Sequence, residues 1–262
     1  MNKTLLSLLL LSLSASLIAG SPEEEGLKIA TLIDKHDRGW ISETADVTMV
    51  LKNQHGQESK REMKIKSLED QNHSDDWGDK SLTTFKTPRD VKGTSFLSFA
   101  HATGADQQWL YLPALRRVKT IASDNKSGPF MGSEFAFEDI SSQEVNKYTY
   151  KFIRHDKLNG LDVAVIERYP VSKYSGYSKQ IVWVDTTHYR VHKIEFFDRK
   201  KSALKTLIYS GYKQYGKVWR ADKMEVSNSQ SGKSTQLIWA NYQHNTGISA
   251  RDFNKNALAR LK

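Results

Sequence analysis

Apolar positions recur along this chain with two periods, and the change from one to the other divides it. Near the start, Ser21-Pro22-Glu23-Glu24 has the S-x-x-E form of a capping box, and Leu27, Ala30, Leu32 and Ile33 follow at helical spacing. This spacing predicts one amphipathic helix running to about Arg38. From Ala45 the period becomes two: Val47, Met49 and Leu51 alternate with Asp46, Thr48 and Val50. Asn53-Gln54-His55-Gly56 then turns the chain into a second alternating run, with Met63 and Ile65 between Glu62, Lys64 and Lys66, which predicts a hairpin. Further strand-like runs follow at 81–85, 94–100, 107–112, 148–154, 161–169, 180–184, 191–197, 204–212, 218–226 and 235–242. Roughly a dozen strands, with turns at Asn159-Gly160, Tyr215-Gly216 and Ser231-Gly232, predict a mainly β fold: a single large antiparallel sheet, curved or barrel-like. In the tail from Ser249, Phe253, Ala257, Leu258 and Leu261 predict a short closing helix. No Pro/Gly-rich linker or repeat interrupts the pattern, so residues 21–262 read as a single domain.

The first twenty residues stand outside this reading. Lys3 precedes an apolar run from Leu5 to Leu13 broken only by Ser7 and Ser12, and Ala19-Gly20-Ser21 supplies small residues, which together form a secretory signal peptide over 1–20. An uncleaved anchor is the alternative, although a stretch this short and Ser-rich spans a bilayer only marginally. Ser21 stands where a lipobox would carry its acylated Cys, and the 262 residues contain no cysteine at all. That removes disulfide scaffolds, thiolate metal sites, cysteine nucleophiles and a Cys-linked lipid anchor. The expected product is soluble and extracytoplasmic.

One stretch breaks the alternation. Trp109-Leu110-Tyr111-Leu112-Pro113 is apolar on both faces, so neither face of that strand meets water. Arg116, Arg117 and Lys119 follow, and then Gly128-Pro129-Phe130-Met131-Gly132-Ser133-Glu134-Phe135-Ala136-Phe137-Glu138-Asp139-Ile140, whose Gly and Pro exclude a strand. Ser133 is placed to cap a short helix presenting Phe137 and Ile140. Such a segment laid over a sheet either plugs it as core or forms a lid over a cavity for something apolar, Met and Phe being adaptable liners.

The pair of blocks from Gln108 to Val118 (QWLYLPALRRV) and from Phe130 to Ile140 (FMGSEFAFEDI) resembles the LolA-like family of outer-membrane lipoprotein-sorting proteins, in its longer periplasmic branch. The likeness extends more loosely over the leading helix, Tyr148 to Tyr150, Trp183-Val184-Asp185 and Phe197-Asp198. It implies an unclosed (half) β-barrel with helices covering its concave face, and a hydrophobic concavity that shields an acyl chain on its way toward the outer membrane. Some members of the branch look like accessory proteins of RND-type lipid exporters, so the resemblance implies a lipid or acylated protein as cargo, and an inner-membrane exporter or outer-membrane acceptor as partner. On this reading the candidate cavity and lid residues are Phe96, Phe99, Trp109, Tyr111, Leu112, Leu115, Phe130, Met131, Phe135 and Phe137; alternation does not say which strand face is concave. Glu138 and Asp139, being adjacent, point apart and are poorly placed for paired acid–base work; they are expected to accept backbone N–H groups or to pair with Arg116 or Arg117, tying the segment down.

Other chemistry is sparse. His188 and His192 are four apart, but the run from Tyr189 to Phe197 alternates as a strand, which would separate them by about 13 Å, so no metal site is expected. No G-x-S-x-G elbow, H-E-x-x-H, Walker loop or G-x-G-x-x-G is present, and the chain is expected to be neither an enzyme nor the holder of a cofactor. The net charge of +9 is spread along the strands among acids, which fits an anionic lipid surface better than nucleic acid. The sequence therefore leads to a periplasmic lipid or lipoprotein carrier, with an exporter subunit that holds no free cargo as the alternative.

Overall fold

In the computed structural model, residues 20–70 and 78–260 are described; the expected signal peptide, apart from Gly20, and Leu261 lie outside them. Helix α1 (Pro22–His36) opens the chain. Its capping box forms as the sequence implies: the Ser21 hydroxyl accepts from the Glu24 N–H at 3.1 Å, and the Glu24 carboxylate accepts from the Ser21 N–H at 2.8 Å. The helix stops short of Arg38, with Asp37 as its C-cap, and its buried positions are Gly26, Ile29 and Ala30, while Leu27 is exposed.

Among the described residues thirteen strands follow: β1 (Ser42–Lys52), β2 (Glu58–Leu68), β3 (Lys80–Thr87), β4 (Ser95–Phe99), β5 (Gln107–Leu112), β6 (Arg117–Ile121) and β7 (Tyr148–Leu158). Then come β8 (Leu161–Pro170), β9 (Tyr177–Asp185), β10 (Val191–Asp198), β11 (Ala203–Tyr215), β12 (Val218–Asn228) and β13 (Ser234–His244). All pair antiparallel in one sheet of order β6-β5-β4-β3-β2-β1-β13-β12-β11-β10-β9-β8-β7. The sheet is a meander of six strands and a meander of seven, joined by the β1–β13 pair. No ladder joins the edges β6 and β7, so the barrel is unclosed. The chain between those two edges, residues 122–147, crosses the inner face.

Period-2 alternation assigns the faces. Val47, Met63, Phe85, Phe96, Leu110, Ile166, Val182, Phe196, Leu207, Val226 and Leu237 turn inward and form one cluster with Phe130 and Phe135 of the crossing segment. On the outer face Leu82, Leu97 and Trp109 are covered by Phe253 and Leu258 of the tail. Strand β5 is therefore buried on both sides, as its two-sided apolarity requires. The tail itself is two 3-10 turns, Ala250–Asp252 and Lys255–Arg260, rather than one closing helix.

Helix α1 lies on β7. A Cβ added at Gly26 would stand 2.8 Å from the backbone of Lys151 and Phe152, so only glycine permits this approach. At the other end of the helix, Arg220 on β12 pairs with Asp37 and, at 2.8 Å, with Glu43, which also meets His244. Burial alone would lower the pKa of Arg220, but the two carboxylates beside it raise it, so the guanidinium stays charged and latches the helix to the sheet.

Candidate functional site

The crossing segment is fixed rather than loose. Phe130 is 1% exposed and packs against Phe85, Phe96 and Phe137 with ring centroids 6.1, 5.1 and 5.6 Å away. Met131 and Gly132 turn the chain with consecutive positive φ angles of 49° and 74°, and the Met131 carbonyl accepts from Arg61. Beyond the turn, the Glu134 N–H donates to Thr235 at 3.0 Å, and Asn228 donates to the Glu134 carboxylate at 2.6 Å. The Asp139 carboxylate accepts from Lys205 at 2.6 Å, from the Tyr177 hydroxyl at 2.8 Å and from the Ala136 N–H at 2.7 Å. Glu138 accepts from Ser175 Oγ at 2.7 Å and the Gly176 N–H at 2.8 Å; burial, against these donors, still raises its pKa. The buried Gln108 amide donates to Ser141 Oγ at 2.6 Å and the Phe137 carbonyl at 3.2 Å.

The two carboxylates thus do tie the segment down, but to β9, β11 and the loop before β9. Arg116, held at φ 48°, and Arg117 are exposed beside the β6 edge and take no part. Ser133 is extended and does not cap a helix; the 3-10 turn Phe137–Asp139 begins after Ala136, whose N–H is held by Asp139.

Half of the inner face is filled by this segment, and the other half is not. A cavity of about 800 Å³, open to solvent, lies between α1, residues 139–146 and strands β7 to β13, and extends past Glu43, Ser67, Lys80 and Ser98 of β1 to β4. Its apolar wall includes Ala30, Ile33, Val182, Ile194, Leu207 and Met224; hydroxyl-bearing aromatics Tyr148, Tyr150, Tyr209 and Tyr212 stand among them. Burial pushes the Tyr209 phenol up to about 12, so it is a neutral donor at any physiological pH. Acids gather at one end of the wall, among them Asp34, Glu69, Asp79 and Glu144. Asp79 accepts from the Asp70 N–H at 3.0 Å and from Ser142 Oγ at 3.2 Å. Burial, with the nearby charge of Glu144 adding and the Asp70 N–H opposing, raises its pKa to about 7.

None of the ten residues expected to line a cavity lines this one. Phe96, Phe130 and Phe135 are core, and Leu112, Met131 and Phe137 pack partly buried against that core. Phe99, Trp109 and Tyr111 are on the outer face beneath the tail, because they occupy the alternate positions to Phe96, Leu110 and Leu112. Leu115 is exposed at the β5–β6 turn. Of the two histidines, His188 sits in the turn before β10 rather than on the strand; its backbone N–H donates to Asp185 at 2.7 Å, and His192 Nε2 lies 2.9 Å from the same carboxylate. Burial works against the Asp185 carboxylate, yet these donors and Arg190 hold its pKa at about 2.

A family model described only as that of an uncharacterized protein matches residues 78–260. No curated protein matches the chain. Among solved structures, a candidate outer membrane lipoprotein-sorting protein domain from Vibrio parahaemolyticus is 52% identical, with a TM-score of 0.87, covering 91% of this chain and 100% of that one. The chain belongs to the LolA-like lipoprotein-sorting family. A DUF1329 family protein from Desulfovibrio piger is 27% identical over 91% of this LolA-like chain and 100% of its own, with a TM-score of 0.85. A LolA superfamily protein from Nitrosomonas europaea, 17% identical at a TM-score of 0.69 over 91% and 99%, shares the fold. No helix among the described residues of the LolA-like chain is long and apolar enough to cross a membrane.

Proposed function

We propose that this LolA-like protein is a periplasmic carrier that holds the acyl chain of a lipid or lipoprotein in the cavity beneath α1 and releases it toward the outer membrane. The observation that carries this reading is the open, partly apolar space of about 800 Å³ left on one half of an otherwise filled sheet face. That volume is within the roughly 300–1,000 Å³ of ligand sites. An acyl chain in water costs about 0.8 kcal/mol per CH₂, or about 12 kcal/mol for a sixteen-carbon chain, and a dry wall such as Val182, Ile194 and Leu207 offsets that cost. Transfer of this kind needs no bond to form or break, and the role is that of a carrier rather than a catalyst. Cargo enters between α1 and residues 139–146, and the Phe130 block serves as the fixed floor that keeps the other half of the sheet closed.

The test is mass spectrometry on an organic extract of the protein purified from a periplasm without detergent. A stoichiometric phospholipid, fatty acid or acylated peptide supports the carrier. A lipid-free folded protein removes it and transfers the role to an exporter subunit without cargo.

A further inference from the structure

One row of inward residues runs unbroken across six strands. The ladder registers place Tyr150 opposite Arg168, Arg168 opposite Gln180, Gln180 opposite Phe196, Phe196 opposite Lys205 and Lys205 opposite Asn228. Two members of this row are cations, and they are treated differently. The Lys205 ammonium is paired with an acid, donating to Asp139 at 2.6 Å and to the Glu134 carbonyl at 2.8 Å. The Arg168 guanidinium lines the cavity, donates its Nε–H to Gln180 at 2.7 Å and lies 4.7 Å from the centroid of the Tyr148 ring.

The other arginines on the cavity wall have acids. Arg38 pairs with Asp34, Arg190 with Asp185, and Arg220 with Asp37 and Glu43. Among the described residues no carboxylate pairs with Arg168, and its terminal N–H groups have no protein acceptor. A guanidinium offers five donors in a planar fork that fits a carboxylate or phosphate bidentately, and stacking on an aromatic face fixes the plane of that fork. A cation drawn from water into a partly apolar cavity is costly unless an anion meets it. The acids on the cavity wall, Asp34, Glu69, Asp79 and Glu144, repel an anion, and among the wall's arginines Arg168 is the one without a carboxylate partner to compete with it.

We propose that Arg168 receives the acidic head of the cargo, so that the ligand class is an anionic amphiphile, with its carboxylate or phosphate on the Arg168 fork and its hydrocarbon along Val182, Ile194 and Leu207. This rests on the carrier reading and adds to it a polarity: charge in at the Arg168 end, chain toward the middle of the sheet.

The test titrates the delipidated mature protein with oleate, oleyl alcohol and oleoyl lysophosphatidic acid, each below its micelle concentration, and follows binding by calorimetry. Oleate should bind about tenfold or more tightly than oleyl alcohol. Arg168→Gln should bring oleate down to the level of the alcohol without changing the alcohol, and Arg168→Lys should recover part of the difference. The tighter of the two acids identifies whether a carboxylate or a phosphate is the natural head. Equal binding of oleate and oleyl alcohol by the unaltered protein overturns the role of Arg168 while leaving the carrier in place, as does equal loss of both ligands in Arg168→Gln. Failure of all three to bind the unaltered protein overturns the carrier reading, and this one with it.

Discussion

The two meanders of this sheet present the same alternation to the same interior and end differently. On the inner face of the first, β1 to β6, the chain supplies its own filling: the Phe130 and Phe137 rings pack tilted or edge-on against Phe85 and Phe96, with Phe135 in the same cluster. The second, β7 to β13, carries Tyr148, Tyr150, Tyr209 and Tyr212 among its aliphatics, together with Arg168, and forms most of the wall of an open cavity. Phenylalanine asks for nothing but apolar contact and packs shut. Tyrosine and arginine bring polar tips that must reach water, a partner or a ligand, and such a wall resists collapse. An opening has therefore been kept in one half of the molecule by the chemistry of the side chains and not by the path of the backbone.

Three substitutions bear on that contrast. The largest effect is expected from Phe130→Ala, which empties a fully buried ring site and should destabilise the protein by about 3–5 kcal/mol in urea unfolding. A variant of unchanged stability that had lost its lipid would instead make the first meander the cargo site. Next is Ala221→Trp on the cavity wall, where space exists for the ring: bound lipid should fall sharply while stability changes by less than about 1 kcal/mol. Undiminished lipid in the extract of this variant would move the cargo elsewhere.

The smallest effect belongs to Asp79, which holds the far end of the crossing segment. Its carboxyl titrates near 7 when folded and near the ordinary 3.8 when unfolded, so the folded protein binds more protons between those values and this group's contribution falls as pH rises across the window. Asp79→Asn should therefore gain on the parent by about 2–3 kcal/mol between pH 5 and pH 8, measured as the widening gap in urea stability. A constant gap would mean that Asp79 is ionised throughout.

Much of the fold was legible because a strand's period is written residue by residue. The runs at 107–112 and 161–169 fall on β5 and β8 almost to the residue. Strand β6 was missed because Arg117-Val118-Lys119-Thr120-Ile121 reads as a basic cluster; on an edge strand charge is how an open ladder is kept from pairing further. The half-barrel and its family were legible from two motif blocks. The cavity was not, since its wall comes from residues far apart in the chain, and a residue's period gives its face but not which face is inner. One signal did exist: Arg168 and Gln180 interrupt the inward apolar series Ala164, Ile166 and Val182, Val184 at facing positions of neighbouring strands. The Phe-rich segment drew attention instead because consecutive aromatics are conspicuous, and conspicuous aromatics are what a core needs.

Every neighbouring pair in the sheet is also adjacent in sequence except β1 and β13. Each meander is thus a chain of local hairpins that can form quickly, whereas their joining closes a loop across nearly the whole protein and is entropically the slow event. Three anchors of the crossing segment, Lys205, Asn228 and Thr235, lie in the last three strands. During synthesis the part of the crossing segment held by these strands consequently waits for the end of the chain, and until then its aromatic rings are not locked over Phe85 and Phe96.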